Sequence, residues 1–246
     1  MKKFLLIFFL ISLVFISGCV QQEVQNIIQS SKEKLENLEN YKIVYETRNP
    51  TYVNNIPYSL THGKINITKK GNNSKIILEV ITNSQKSKNI VYKTSEEAWF
   101  CDFSGNCNKI PPSNVNEAPG NEKLLEDWIK RGIISVKYNG INNIINRSCY
   151  NVSYEFDLSK LSSSDWIEIF NLRNISLSNE SLEELTKTFK SIKSSACFDN
   201  ETGISLANSN YIEMKTLDSI IVSKNYLRAI YFEPNVVISN EEVLKQ

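Results

Sequence analysis

Histidine is almost absent from this chain: His62 is the single one in 246 residues, and glycine occurs only eight times. No G-x-S-x-G, no H-E-x-x-H and no phosphate-cradling glycine loop is present. The usual routes to acyl transfer, zinc peptidase and nucleotide chemistry therefore lack their residues. His62, beside Gly63 at a strand or turn edge, is the sole candidate for imidazole acid–base work, and a lone surface histidine is the simpler reading. The carboxylate pairs Glu96-Glu97, Glu183-Glu184 and Glu241-Glu242 are each adjacent in sequence. Neighbours in a strand point to opposite faces, and helix neighbours do not face one another, so these pairs are solvated charge. No enzyme activity and no cofactor are expected. With 28 basic and 27 acidic residues and no basic cluster, the chain also lacks the electrostatic footprint of a nucleic-acid binder.

No apolar run reaches the roughly 20 residues that cross a bilayer. The first one, Phe4 to Phe15, is 12 residues long and follows Lys2 and Lys3, which is the plan of a cleaved export signal. Ile16-Ser17-Gly18 then leads into Cys19. Small residues before a cysteine resemble the lipobox of prokaryotic lipoproteins, which implies that Cys19 is lipidated and becomes the first residue of a mature protein held on the membrane, facing outside the cytoplasm. An ordinary export signal with an incidental cysteine is the alternative. Residues 1–18 are read as the signal, 19–40 as a lipid-anchored helix and 41–246 as one α+β domain. Removing the signal leaves 228 residues with a net charge of −1.

Four cysteines remain, and in an oxidising compartment an even number implies two disulfides. Between Cys101 and Cys107 the turn residues Ser104, Gly105 and Asn106 place the two sulfurs across a hairpin, which leaves Cys149 to pair with Cys197. A zinc site is the weaker reading, because the spacings are wrong and one histidine is too few.

Val24, Ile27, Ile28, Leu35 and Leu38 recur near helical spacing from Val20 to about Asn40. At Tyr41 the period changes to two. Tyr41, Ile43 and Tyr45, then Ile65 and Ile67, then Ile76, Leu78 and Val80 alternate along a meander; in the third run Ile77 and Ile81 make the other side apolar too, so Ser74 to Thr82 is expected dry on both faces. Ile90 to Lys93 and Glu97 to Phe100 lead into the cysteine hairpin. Leu124, Leu125, Trp128 and Ile129 form a short helix that Gly132 ends, followed by a strand from Ile133, a turn at Asn139-Gly140 and a one-sided strand carrying Tyr150, Val152, Tyr154 and Phe156. Capping signatures at Asp165/Glu168 and Ser181/Glu184 open two helices, the second with Leu182, Leu185, Phe189 and Ile192 as its stripe. Four strands finish the chain: Ser194 to Phe198, Ile204 to Met214, Ser219 to Ser223 and Tyr226 to Phe232. On this alternation Cys149 and Cys197 fall on polar sides, and their bridge is expected outside the core.

Hairpins with helices between them give a curved antiparallel sheet with helices on its concave face. Its aromatic residues come from sheet and helices alike. Ordinary core packing accounts for that, and so does a cavity for an acyl chain or a lipidated partner, lined by Ile76, Leu78, Val80, Trp99, Trp128, Tyr154, Trp166 and Phe170. With a filled core, the same scaffold is a structural or adhesive surface protein. Seven N-x-S/T sequons, at Asn66, Asn72, Asn146, Asn151, Asn174, Asn179 and Asn200, stand near the number composition alone supplies.

Gly63 to Leu78, Ile90 to Lys93 with Ala98 to Phe100, Cys197 to Leu206 and Ala229 to Asn235 resemble the succession of phrases in the LolA/LolB-like lipoprotein-carrier superfamily, which includes lipid-anchored mycobacterial relatives. The likeness runs loosely from about residue 35 to 240. It implies an unclosed β-barrel that wraps helices and holds acyl chains. The two disulfides and the anchor are departures from the soluble carrier. Replacing Cys19 by Ser is expected to release the protein from the membrane fraction; mass spectrometry of the mature N-terminus checks it, and an unmodified Cys19 in the native protein would overturn the anchor.

Overall fold

The computed structural model describes residues 23–82, 85–111, 127–171, 184 and 186–244. Cys19 and the export signal lie outside the described residues. The described strands form one antiparallel sheet of 11 strands in the order β6-β5-β4-β3-β2-β1-β11-β10-β9-β8-β7. These are β1 (Asn40–Val53), β2 (Ile56–Lys70), β3 (Asn73–Thr82), β4 (Gln85–Lys93), β5 (Ala98–Cys101), β6 (Cys107–Ile110), β7 (Ile134–Ile144), β8 (Arg147–Phe156), β9 (Phe189–Asp199), β10 (Ser205–Lys215) and β11 (Ile220–Pro234). Two meanders, β1 to β6 and β7 to β11, lie side by side and join where β1 pairs with β11. The terminal strands β6 and β7 do not pair, so the sheet stays open, and the fold is α+β with a curved, unclosed antiparallel sheet.

Register assigns the faces. Ile43 stands opposite Phe232 on one side and Ile67 on the other, and the row continues through Ile76 and Val91 to Phe100. In the second meander the same face carries Leu227, Asn208, Ala196, Val152 and Tyr138. The described helical segments cover this inner face. Leu35 and Leu38, from the helix over 23–36 and the residues after it, pack with Tyr41, Ile43 and Tyr45. The turn of helix at 127–130 sets Trp128 and Ile129 on Ile134, Val136, Tyr154 and Phe156. Trp166, from the helix Ser163–Asn171, packs with Phe189 and Ile192. Fully burying one such side chain contributes about 1.5–3 kcal/mol, and Ile43 and Leu206 are among those with no exposed surface.

Several local expectations are corrected. Asn139-Gly140 is no turn: Gly140 (φ 92°) lies inside β7, where the register shifts between Tyr138 and Ile141, and the chain reverses at Ile145 (φ 48°) and Asn146 (φ 60°). Of the stripe expected on one helix, Leu182 and Leu185 lie outside the described residues, and Phe189 and Ile192 belong to β9, which follows the helical residues 186–188. A single strand, β11, takes the place of the two expected between Ser219 and Phe232. Among the residues Ile76 to Ile81 of β3 none is fully buried, so the strand expected dry on both faces is only half covered.

The structure contains bridges Cys101–Cys107 (S–S 2.05 Å) and Cys149–Cys197 (2.07 Å). The second lies inside the core and not outside it: Cys149 is 0% and Cys197 4% exposed, in one cluster with Tyr41, Ile43, Tyr45, Ile204 and Leu206. The physical reason is a β-bulge. Between Ser205 and Ala207 the β9–β10 register shifts, and a bulge bends its strand and re-aims the side chains beyond it. The bent end is tied back to the first meander by the Tyr45 hydroxyl, which donates to the Ser205 carbonyl at 2.8 Å, and β8 is tied to β11 by the Arg147 guanidinium, 5.2 Å over the Phe232 ring.

The helix over 23–36 docks on this end through Gly203. Its φ is +74°, and a Cβ there would stand 1.8 Å from the Ser31 carbonyl oxygen. Gly203→Ala must both strain the turn and push the helix away. A loss of at least about 2 kcal/mol is expected, read as a lower denaturation midpoint.

Candidate functional site

Among the described residues the inner face is packed tightly in two places, the strand ends that hold Ile43, Ala229 and Leu206 and the start of β7, where Ile133 and Ile134 lie against Trp128 and Ile129. At the first of these it is closed to solvent. Farther along the strands Ile65, Leu78, Val80, Leu227, Ile212, Met214 and Ile221 share this face but stay partly exposed. Period-two alternation places them there, since their strand neighbours Lys64, Glu79, Arg228 and Glu213 point outward. A half-covered apolar surface framed by sheet and helices is what an acyl chain can fill. Within it Asn208, Asn210, Asn225 and Ser194 form a polar patch by register. The Oδ1 atom of Asn208 is buried without a hydrogen-bond partner among the described residues.

The eight residues expected to line a cavity do not gather in one place. Ile76, Leu78 and Val80 share the inner face of β3. Trp99 stands on the outer face, opposite Tyr92 and Lys109, whose ammonium lies 5.9 Å from its ring; Phe100 is the inward residue of that strand. Trp128 and Tyr154 pack together in one cluster, and burial pushes the Tyr154 hydroxyl up to about 12. Trp166 is buried in a second cluster. The side chain of Phe170 lies outside the described residues.

Asp165 holds the covering segments together. It accepts two hydrogen bonds from the Arg131 guanidinium (2.8 and 2.7 Å), one from the Trp128 indole (3.0 Å) and two from Ser162, through its backbone N–H (2.8 Å) and hydroxyl (2.6 Å). The Arg131 guanidinium, with help from Ser162 and Trp128, holds its carboxyl well below the usual carboxylate range against the opposing effect of burial. The Asp165 N–H bonds back to the Ser162 hydroxyl at 3.3 Å, so the capping box is Ser162 with Asp165, and Asp165 is its acid, not its cap. The Ser-x-x-Asp spacing carried that signal; the partners Trp128 and Arg131, more than 30 residues away, had none.

A second buried carboxylate, Asp199, accepts from Arg147 (2.8 and 2.8 Å) and from the Thr202 N–H (2.9 Å) and hydroxyl (2.7 Å) beside the Cys149–Cys197 bridge. Burial alone would raise its carboxyl, but the Arg147 and Thr202 bonds prevail and hold it low. A cleft of about 270 Å³ is lined by residues including Asn142, Ile144, Asn151, Cys197, Asn208 and Arg228, and by none of the eight expected residues. His62 has Arg48 and Ile81 as its cross-strand neighbours. Among the described residues no group of three or more His, Cys, Asp or Glu side chains is placed to hold a metal ion, and no helix is long and apolar enough to cross a membrane.

No protein-family model matches the chain, and no curated protein matches it. Solved structures do. The lipoprotein LppX of Mycobacterium tuberculosis is similar at 9% identity with a TM-score of 0.43, over 87% of this chain and 96% of that one. LprF from Mycobacterium bovis is similar at 13% identity and 0.40, over 90% and 98%. A LolA superfamily protein from Nitrosomonas europaea is similar at 10% and 0.30, over 88% and 97%. The proteins that the sequence phrases resemble are thus among the structures found similar.

Both Asp165 and Asp199 have folded-state pKa values below the ordinary 3.8, so each contributes stability that is complete above that value and is lost as pH falls through the lowered one. Unfolding monitored from pH 6 down to pH 2 is expected to show an acid limb. Asp165→Asn should cost about 1–3 kcal/mol at neutral pH and flatten that limb.

Proposed function

We propose that this is an exported protein, anchored to the membrane through lipidated Cys19, that binds an acyl chain or a lipidated partner on the inner face of its sheet. One observation carries the reading: Ile65, Leu78, Val80, Leu227 and Ile212 form an apolar surface that the described helical segments leave partly uncovered. Apolar area withdrawn from water by a ligand contributes roughly 25 cal/mol per Å², and a flexible hydrocarbon chain is the ligand that matches a surface with so few polar groups. The polar patch at Asn208, Asn210 and Asn225 offers hydrogen bonds to an ester or amide at the head of such a chain. The reading needs no catalytic residue.

Native mass spectrometry and organic extraction of the purified protein are expected to recover bound lipid. Leu78→Asp, which sets a charge on the half-exposed inner face, should weaken binding of a fluorescent fatty acid by about tenfold or more. If no lipid is extracted and the fluorescent acid does not bind the unaltered protein, the inner face is a core surface and the structural or adhesive reading takes its place.

A further inference from the structure

Two hairpin tips at one end of the sheet carry large apolar side chains that the fold does not use. The β1–β2 tip presents Ile56, 68% exposed, Tyr58, 77% exposed, and Leu60; the β10–β11 tip presents a fully exposed Leu217 and Ile220. Single exposed apolar residues are ordinary, but a group of five on adjacent turns is not. The two tips form one unit. β1 and β11 stay paired up to Val53 and Ile221. The Asn54 N–H donates to the Ile220 carbonyl at 2.8 Å, and the Ile220 N–H donates to the Asn54 side-chain oxygen at 2.8 Å.

Cations stand directly behind. Lys215 is opposite Ile220, Lys224 lies 5.5 Å from the Tyr52 ring, and on the neighbouring hairpin Lys86 is opposite the exposed Ile81. None of these three lysines has a carboxylate partner among the described residues. The acid of the two turns is Asp218, and Glu213 behind it accepts from the Tyr211 hydroxyl at 2.6 Å. Aliphatic and tyrosine side chains projecting ahead of lysines match the layering of a bilayer surface, where apolar groups sit below the headgroups and ammonium groups lie at the level of the phosphates. A protein partner fits less well, because two projecting turns offer no flat apolar face.

We propose that these tips dock the protein onto an anionic phospholipid bilayer, independently of the Cys19 anchor and of any ligand on the inner face. The test labels the full-length protein with an environment-sensitive fluorophore at Leu217→Cys and, separately, at Val237→Cys, an exposed control beyond the far end of β11. Both are made with Cys19→Ser so that the label finds one thiol. Excess vesicles of phosphatidylcholine with phosphatidylglycerol, carrying a lipid-borne quencher, are expected to shift the 217 label to the blue and quench it at least about twofold more than the 237 label. Pure phosphatidylcholine should give a weaker response, and Ile56→Asp with Tyr58→Asp should abolish it. Equal, water-like behaviour of the two labels with either vesicle overturns the proposal. So does shielding of position 217 that rises with protein concentration without vesicles, which assigns the tips to a second copy of the chain.

Discussion

The sheet does not close, and most of the architecture answers to that constraint. Eleven strands share one ladder whose outer members, β6 and β7, never meet. A closed barrel fills its interior from its own walls; an open one must bring its filling from elsewhere in the chain. Here the filling comes from helical segments held by specific contacts: Ser31 against Gly203, Leu35 and Leu38 on Ile43, and the carboxylate of Asp165 tying Trp128 and Arg131 to the start of the helix Ser163–Asn171. The edges are blunted as natural sheets require. β6 is four residues long and carries Lys109, and β7 is interrupted by its bulge at Gly140.

The inner face is not covered evenly. One end is a dry core in which a disulfide, a buried Arg147–Asp199 pair and the bulge at Leu206 lock the β8–β10 strands against β1 and β11. Between it and a second buried cluster at Trp128 and Ile134, apolar side chains such as Leu78 and Ile212 stay half covered, with polar groups at Asn208 and Asn210. For the binding role proposed above, rigid support beside a half-covered apolar surface holds that surface in shape.

Much of this was legible in the residues. Alternation at Tyr41-Ile43-Tyr45 and at Ile65-Ile67 gave strands and their inward sides correctly, because a pleated strand with one covered face admits only one phase. The sheet class followed from the spacing of the hairpins. What failed did so where a bulge changed the phase. Cys149 and Cys197 sit on formally polar sides, and the ladders on either side of them shift register, at Tyr138/Ile141 and at Ser205/Ala207. Asn139-Gly140 has turn chemistry, yet it serves a bulge within β7. Trp99 was expected in the cavity lining, whereas parity turns it outward to Lys109 and Phe100 inward. The Asp165 cluster was illegible because its partners are brought together only by the tertiary fold.

The strand order separates near contacts from distant ones. Every ladder within β1 to β6, and within β7 to β11, joins strands that follow one another in the chain, whereas β1 and β11 bring Tyr41 opposite Pro234. Both disulfides fall inside a single meander, Cys101–Cys107 in the first and Cys149–Cys197 in the second. No covalent staple therefore crosses the junction of the two. Oxidation braces each leaf separately, and the spine between them is held by hydrogen bonds and side-chain packing alone, at the largest loop-closure cost in the sheet. Pulled or heated, each leaf can open only as far as its own bridge allows, whereas the spine between them carries no such limit.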